Sequence, residues 1–424
     1  MRFIVLLFFY CQFLTFTSFS KTYHVSPNGK PANDGSSFDK PLNFSNAITL
    51  VAAGDNILLQ AGTYVIAYTA GQKNTLLFSK SGASGKPISV TVHNNGRAIF
   101  DFSFPLQAWI QNSFGFEITG NYWYFNGISI TRAGYQGAYV KGANNTFENC
   151  SFYDNRNTGL EINKGGSNTT VINCDAYRNY DPKKKGSMAD GFGPKETQGP
   201  GNKFIGCRAW ENSDDGYDTY NSAEKVTFEK CWAFCNGVDV WNYGGFDGNG
   251  NGFKVGGNFK QANNKLIDCI AFGNPLKGFD QNNNTGGLTI YNCTAYNNGI
   301  NSGVKNGRKD GHKHDLKNNI SLGASNTIAN ANEANNSWNK GFSVSNSDFE
   351  SLDLSLATVK RNAGGSLPET ALFRLKSGNA LIDKGTPVGL PFLGKAPDLG
   401  AFEFKALSTT GRIAEGSTIT SYPT

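Results

Sequence analysis

The chain has 424 residues and a net charge of +6, with 17% charged residues, 13% aromatic residues and 51 glycines. The length allows one long domain or two ordinary ones, and the aromatic content excludes a disordered chain. The many glycines favour a solenoid with many turns over an ordinary compact globule.

The N-terminus has the pattern of a secretory signal. Arg2 precedes an apolar run from Phe3 to Phe16, and small residues follow. This run is short for a membrane span, and no later segment is apolar enough, so we expect no membrane span. We predict that residues 1–20 are removed and that the mature protein is secreted to the periplasm, the cell surface or the medium. A lipid anchor at Cys11 is the alternative, which the bulky Tyr10 disfavours.

Seven of the eight cysteines follow the signal, and an odd number cannot be fully paired within one exported chain. Six of them begin a repeated motif, with an aromatic residue three positions later and an asparagine five positions later. The cysteines are Cys150, Cys174, Cys207, Cys231, Cys269 and Cys293, and the asparagines are Asn155, Asn179, Asn212, Asn236, Asn274 and Asn298. The step is 24 residues three times and 33 or 38 residues otherwise, which indicates loops inserted between constant units.

A period in the low twenties with short β-type runs is typical of a coil of strands, and the consensus of leucine-rich repeats is missing. We therefore predict an all-β fold, a parallel β-helix of about ten coils. Stacked coils would place the cysteines in an inward column and the asparagines in a ladder at a turn. Stacked cysteines point the same way, which suits packed thiols rather than disulfides. Zinc is not expected, because no Cys-x2-Cys pair exists.

Each unit continues into a second strand, marked by a glycine and a large apolar residue. These glycines are Gly159, Gly191, Gly216, Gly252 and Gly278. Because strand residues alternate between faces, the apolar residue should face inward and its neighbours outward. This alignment puts Asp190 beside Asp215, and Asp218 beside Lys254, on adjacent coils. With Asp214, four carboxylates would converge on one patch with a lysine one coil away.

Four close carboxylates repel one another unless a cation neutralises them, and Ca²⁺ tolerates an irregular cage of oxygens better than Mg²⁺. The alternative is an acidic solvated strip balanced by lysines. A lysine near Ca²⁺ suggests proton abstraction from C5 of a uronic acid, followed by elimination, because the cation would lower the pKa of the lysine. The basic net charge fits a polyanionic substrate.

In order and spacing, Asp190, Asp214, Asp215, Asp218 and Lys254 resemble polysaccharide lyase family 9. The resemblance implies a secreted right-handed β-helix enzyme in which the four aspartates bind Ca²⁺ and Lys254 is the Brønsted base. It implies β-elimination in the galacturonate-containing backbone of pectin, giving 4,5-unsaturated uronide ends. Polygalacturonate and rhamnogalacturonan I both stay open as the polymer.

The resemblance covers about Lys21 to Glu403, and we predict one lyase domain over residues 21–406, including a closing segment at about 320–406. We interpret residues 407–424 as a flexible tail. The candidate substrate-binding residues are Lys277, Asp280, Lys305 and Arg308. We expect a monomer with a pectic polysaccharide as its partner and no nucleic acid.

Two other functions remain open from the sequence. A polygalacturonase would use paired carboxylates to activate water, but the Gly-His-Gly segment of that family is absent. A non-enzymatic binding protein would share the fold without needing Lys254 aligned with the aspartates.

Overall fold

The computed structural model describes residues 20–405, which form a coil of short strands in three parallel sheets. Nearly all of the predicted signal (residues 1–19) and the predicted tail (407–424) lie outside the described residues. No helix in residues 20–405 is both long enough and apolar enough to cross a membrane.

From Asn56 to Ile328 each turn of the coil contributes one strand to each of three sheets, which we name A, B and C, and sheet A has one further strand at each end. Sheet A contains Thr22–Lys30, Asn56–Leu59, Ile88–Val92, Trp123–Asn126, Thr146–Glu148, Thr170–Ile172, Lys203–Ile205, Thr227–Glu229, Lys265–Ile267, Thr289–Tyr291, His314–Lys317 and Ala331–Ala334. Sheet B contains Gly62–Val65, Ala98–Asp101, Ile128–Thr131, Ser151–Tyr153, Asp175–Tyr177, Arg208–Trp210, Trp232–Phe234, Ile270–Phe272, Thr294–Tyr296 and Ile320–Leu322. Sheet C contains Leu76–Phe78, Phe116–Ile118, Ala138–Val140, Leu160–Ile162, Phe192–Pro194, Tyr217–Asp218, Phe253–Lys254, Lys277–Asp280, Ile300–Val304 and Asn326–Ile328.

Every strand pairs in parallel with the strand one coil away, so the predicted parallel β-helix is confirmed. The six repeated cysteines are buried in the core, in free thiol form, as predicted. Their thiols donate to backbone carbonyls rather than pairing; the Cys174 Sγ, for example, lies 3.5 Å from the Phe147 oxygen.

The asparagine ladder occupies the turn between sheets B and C. Each side-chain amide donates to the side-chain oxygen of the next asparagine, at 3.0 Å from Asn155 to Asn179 and 2.8 Å from Asn179 to Asn212. The ladder continues beyond the predicted Asn298 to Asn301, over 3.0 Å. All these side chains are buried, so the ladder supplies the hydrogen bonds that the turns need without water.

Short helices and a long closing segment complete the fold. Within residues 20–405 the one α-helix, Phe44–Leu50, buries Phe44, Ala47 and Ile48 against the first coils. The 3₁₀ turns are His93–Asn95, Pro182–Lys184, Asn346–Asp348 and Leu354–Ala357. Strands continue to Ala334, and the chain then packs back along sheet B, where Phe349 and Phe373 join Phe272 in a second apolar cluster.

Candidate active site

The candidate site lies on the outer face of sheet C. Aromatic residues stack inside the coil, and Phe192, Tyr217 and Phe253 stand in register on successive strands. The ring centroids of Tyr217 and Phe253 are 4.5 Å apart. Since neighbouring residues alternate between faces, this stack fixes which side chains point outward. Asp218 is accordingly in register with Lys254, as the repeat alignment predicted.

Three carboxylates meet at one point. One oxygen from each of Asp190, Asp215 and Asp218 lies within 4.8 Å of the other two, and all three residues are buried. Hydrogen bonds orient them: the Asn251 backbone and side-chain nitrogens both donate to Asp215 Oδ1 at 2.8 Å, and the Tyr220 amide donates to Asp218 Oδ1 at 2.8 Å. Burial and these hydrogen bonds therefore fix the three oxygens close together, unlike carboxylates that happen to be neighbours on an exposed surface.

Asp214 has a different environment, although it lines the same cleft. Its Oδ2 accepts from the Met188 amide at 2.9 Å and its Oδ1 from the Asn249 amide at 2.8 Å. Met188 and Asn249 belong to the two insertions that lengthen the repeat, residues 182–188 and 239–250. Asp214 thus joins the two loops that form one wall of the cleft, and it lies beside the convergent trio rather than within it.

Two lysines enter the carboxylate cluster. Lys254 Nζ is 3.0 Å from Asp215 Oδ2 and 3.8 Å from Asp218 Oδ2. Lys195 Nζ is 2.6 Å from Asp190 Oδ2 and 3.5 Å from Asp218 Oδ2. Lys195 is not among the predicted site residues, although strand alternation places it on the outward face, two positions after Gly193.

The net charge of the cluster fits one divalent cation. Four aspartates and two lysines leave two negative charges uncompensated when all are ionised. Carboxylate oxygens are among the ligands that Ca²⁺ prefers. The residues present therefore fit a single divalent cation at the trio, with Asp214 adjacent.

Burial controls the pKa values of the aspartates. Burial raises the pKa of Asp218 to about 7, aided by Asp190 and opposed by Lys254 and Lys195. Burial also raises the pKa values of Asp214 and Asp215, the former together with repulsion from Asp215 and Asp190. Without a cation, the cluster therefore binds protons more readily than free carboxylates do.

The pKa of Lys254 moves opposite to the expectation for a lysine beside a cation. Burial lowers it, but attraction to the four aspartates outweighs burial and raises it above its ordinary value. In the metal-free protein Lys254 is thus a firmly protonated ion-pair partner. The expected lowering depends on a divalent cation that neutralises the aspartates.

The cluster lies in a cleft of about 430 Å³ whose lining also includes the aromatic residues Phe114, Tyr135 and Tyr139 toward the N-terminal coils. The Phe114 and Tyr139 rings are stacked with centroids 4.5 Å apart. The Tyr220 ring lies 5.5 Å from Lys254 Nζ, within range of a cation–π contact. The cleft therefore combines charged groups at its centre with apolar ring surface at one end.

A second pocket, of about 220 Å³, follows on the C-terminal coils. It is lined by Lys277, Asp280 and Lys305, three of the four residues predicted to bind substrate. Lys277 Nζ pairs with Asp280 Oδ1 at 2.9 Å. Arg308 lies apart from this pocket, paired with Asp310, and its guanidinium donates to the Lys313 carbonyl at 3.2 Å.

The fold and the site together define a right-handed parallel β-helix protein with a carboxylate and lysine cleft on the outer face of one sheet. Residues 23–319 match the family described as the Pel9A-like, right-handed β-helix region. The chain belongs to this family.

Known relatives resemble the chain over most of its length. Pectate lyase L of Dickeya dadantii (strain 3937) is 59% identical over 91% of this chain and 91% of its own. The crystal structure of pectate lyase Pel9A is 59% identical, with a TM-score of 0.89 over 91% of this chain and 97% of that chain. A structure described as a rhamnogalacturonan lyase is 31% identical, with a TM-score of 0.73 over 84% of this chain and 97% of that chain.

Proposed function

We propose that the chain is an exported, calcium-dependent pectate lyase that cleaves polygalacturonate by β-elimination. The observation that carries the proposal is the alignment of Lys254 with Asp218 on adjacent strands, beside three convergent buried carboxylates. Similarity to pectate lyase L and to Pel9A supports the same activity.

Each residue has a separate task in this proposal. Asp190, Asp214, Asp215 and Asp218 would hold the calcium ion, and Lys254 would take the proton from C5 of the uronate at the cleavage site. When bound, calcium would supply positive charge that stabilises the anion formed at C5 and weakens the hold of the aspartates on the Lys254 proton.

The surroundings of Lys254 suit a base that must be held in one place. Its side chain is only 12% exposed and extends between Asp215 and the Tyr220 ring. Burial favours the neutral form of a lysine once the neighbouring charges are balanced. The C5–H bond then breaks toward Lys254 Nζ, the C4–C5 double bond forms, and the C4–oxygen bond breaks with its electrons on the leaving sugar.

Rhamnogalacturonan I is the second candidate polymer, supported by the similarity to a rhamnogalacturonan lyase. The Lys277, Asp280 and Lys305 pocket would bind sugars beyond the cleavage site in either polymer. Among these side chains Lys277 is already paired with Asp280, so Lys305 is the candidate for a sugar carboxylate.

Ultraviolet absorbance of unsaturated uronides tests the activity. Purified protein is added to polygalacturonate and to rhamnogalacturonan backbone, with calcium and then with chelator, and the preferred polymer is the one with the faster rise. A calcium-dependent rise that Lys254→Ala abolishes supports the proposal. New reducing ends without that absorbance would mean hydrolysis, and no release from either polymer would favour a binding protein.

Export is a separate part of the proposal, since residues 1–19 lie outside the described structure. We propose cleavage near Ser20, just before the first strand at Thr22. N-terminal sequencing of protein recovered outside the cytoplasm should begin near Lys21. A start at Met1 would contradict it.

A further inference from the structure

We infer that Lys195 is a resident counter-ion that occupies part of the cation site and sets its affinity for calcium. This inference rests on the proposed calcium site and adds a positioning residue to it. The Lys195 ammonium contacts two of the three convergent carboxylates, at 2.6 Å from Asp190 Oδ2 and 3.5 Å from Asp218 Oδ2. A divalent cation at the trio would have to share these oxygens with it.

The burial of Lys195 distinguishes this contact from an ordinary surface ion pair. Its side chain is 8% exposed, and the Asp190 and Asp218 side chains are 0% and 5% exposed. Breaking a buried pair leaves an uncompensated charge, which is strongly destabilising. Lys195 therefore stabilises the carboxylate cluster when no cation is bound.

Lys195 reaches the cluster because one outward position of sheet C, at Gly193, has no side chain. Glu161 and Gly193 are in register, and the next strands carry Asp218 and Lys254 at that position. A Cβ at Gly193 would lie 3.1 Å from the Lys195 Cε and 3.5 Å from its Cδ. The absence of a side chain at Gly193 thus lets the lysine stem cross the strand toward Asp190.

Lys141 provides an internal comparison. Val140, Ile162 and Pro194 are in register, so Lys141 and Lys195 are equivalent residues two coils apart. Lys141 also pairs with a carboxylate on an adjacent coil, Glu117, but its side chain is 32% exposed. Equivalent positions on two coils therefore differ: Lys141 forms a surface ion pair, whereas Lys195 is buried in the cation site.

Lys195→Met should separate the two roles of this charge. Without the competing ammonium, calcium should bind at least about tenfold more tightly, because the repulsion between like charges at this distance is large. In chelator the variant should unfold at a lower temperature than the wild type, because Asp190 has lost its partner. With calcium bound, the variant and the wild type should unfold at nearly the same temperature. Lys195→Arg keeps the charge and should keep near wild-type affinity.

The experiment is calorimetric titration of chelator-treated full-length mature protein with calcium, together with thermal unfolding with and without calcium. Lys141→Met is the matched control and should leave the calcium dissociation constant unchanged. A merely structural Lys195 would predict equal losses of stability with and without calcium, and calcium affinity that is unchanged or weaker; either result overturns the inference.

Two further outcomes are informative. If wild-type protein binds no calcium, the proposed site itself fails and the inference with it, whereas failure of the inference alone requires normal wild-type binding. Should Lys195→Met not fold, Gly193→Ala displaces the lysine stem without removing its charge. That variant should shift calcium affinity in the same direction by a smaller factor, and an unchanged or weaker affinity counts against the role of Lys195.

Discussion

Two buried polar columns run along the same coils and differ in how their hydrogen-bonding groups are satisfied. In the asparagine ladder each of the six coils from Asn155 to Asn298 contributes the same amide, which donates to one neighbour and accepts from another. In the outward column of sheet C, neighbouring coils contribute Gly193, Asp218, Lys254 and Asp280 in turn. The ladder is complete in itself, whereas the cluster beside this column retains uncompensated negative charge.

The difference separates folding from function along one solenoid. A repeated neutral side chain satisfies its neighbours on both sides, so it stabilises the stack of coils. A column of unlike charged residues offers no such regular pattern and needs an added cation. Variants in the outward column of sheet C should therefore lose activity, whereas variants in the asparagine ladder should lose stability.

Removing the base should give the largest effect. Lys254→Met should lower kcat on polygalacturonate by about 1,000-fold, since general-base catalysis contributes roughly 100- to 10,000-fold. Calcium binding should persist, because the carboxylates remain. Initial rates at saturating calcium check the loss, and titration calorimetry checks the binding. Retained turnover with normal folding would exclude Lys254 as the base.

Removing one carboxylate of the trio should act on the cation. Asp215→Asn keeps the shape of the side chain but removes the charge that faces Lys254. We expect calcium affinity to fall at least about 100-fold, because even outer-shell changes cost 10- to 100-fold. Titration calorimetry measures the affinity, and Asp310→Asn, on an exposed loop, is the control. Unchanged affinity would move the calcium site elsewhere.

Breaking the ladder should act on stability rather than on chemistry. Asn236→Ala removes the oxygen that accepts from Asn212 and the amide that donates to Asn274. Buried groups left without partners cost about 1–3 kcal/mol each, so we expect a loss of about 2 kcal/mol or more in the free energy of unfolding. Denaturant unfolding measures this loss, with the exposed Asn332→Ala as the control. Loss of activity without loss of stability would contradict the separation of the two columns.

The repeat in the sequence predicted the fold because identical spacing forces identical positions to stack. It also placed Asp218 beside Lys254, since the inward aromatic residue in each coil determines what faces outward. It could not show that the Asp214 oxygens bind the amides of Met188 and Asn249, because both loops interrupt the repeat. Strand alternation places Lys195 on the outward face, but its contact with Asp190 depends on the empty space over Gly193, which no shared motif indicates.

The smallest expected effect, and the most specific to the carboxylate cluster, is the pH dependence of the stability of the metal-free protein. Burial raises the pKa of Asp218 to about 7, and it raises the pKa values of Asp214 and Asp215 as well. The asparagine ladder is neutral and does not titrate. Between pH 4 and 7 the folded protein therefore binds more protons than the unfolded chain. The resulting stability is complete below the unfolded pKa of about 4 and is lost as the pH rises through about 7.

We therefore expect the midpoint temperature of unfolding in chelator to decrease as the pH is raised from 5 to 8. The stabilisation by calcium should grow over the same range, because the cation replaces the protons that the cluster loses. Lys254 and Lys195 stay protonated throughout this range because the aspartates raise their pKa values despite burial. Asp218→Asn should make the slope in chelator shallower, because an amide cannot titrate and only Asp214 and Asp215 then contribute. Asn236→Ala should instead lower the midpoint equally at each pH. A wild-type midpoint in chelator that is flat or rises toward pH 8 would mean that the cluster keeps its carboxylates ionised without a cation, with the two lysines as sufficient counter-ions.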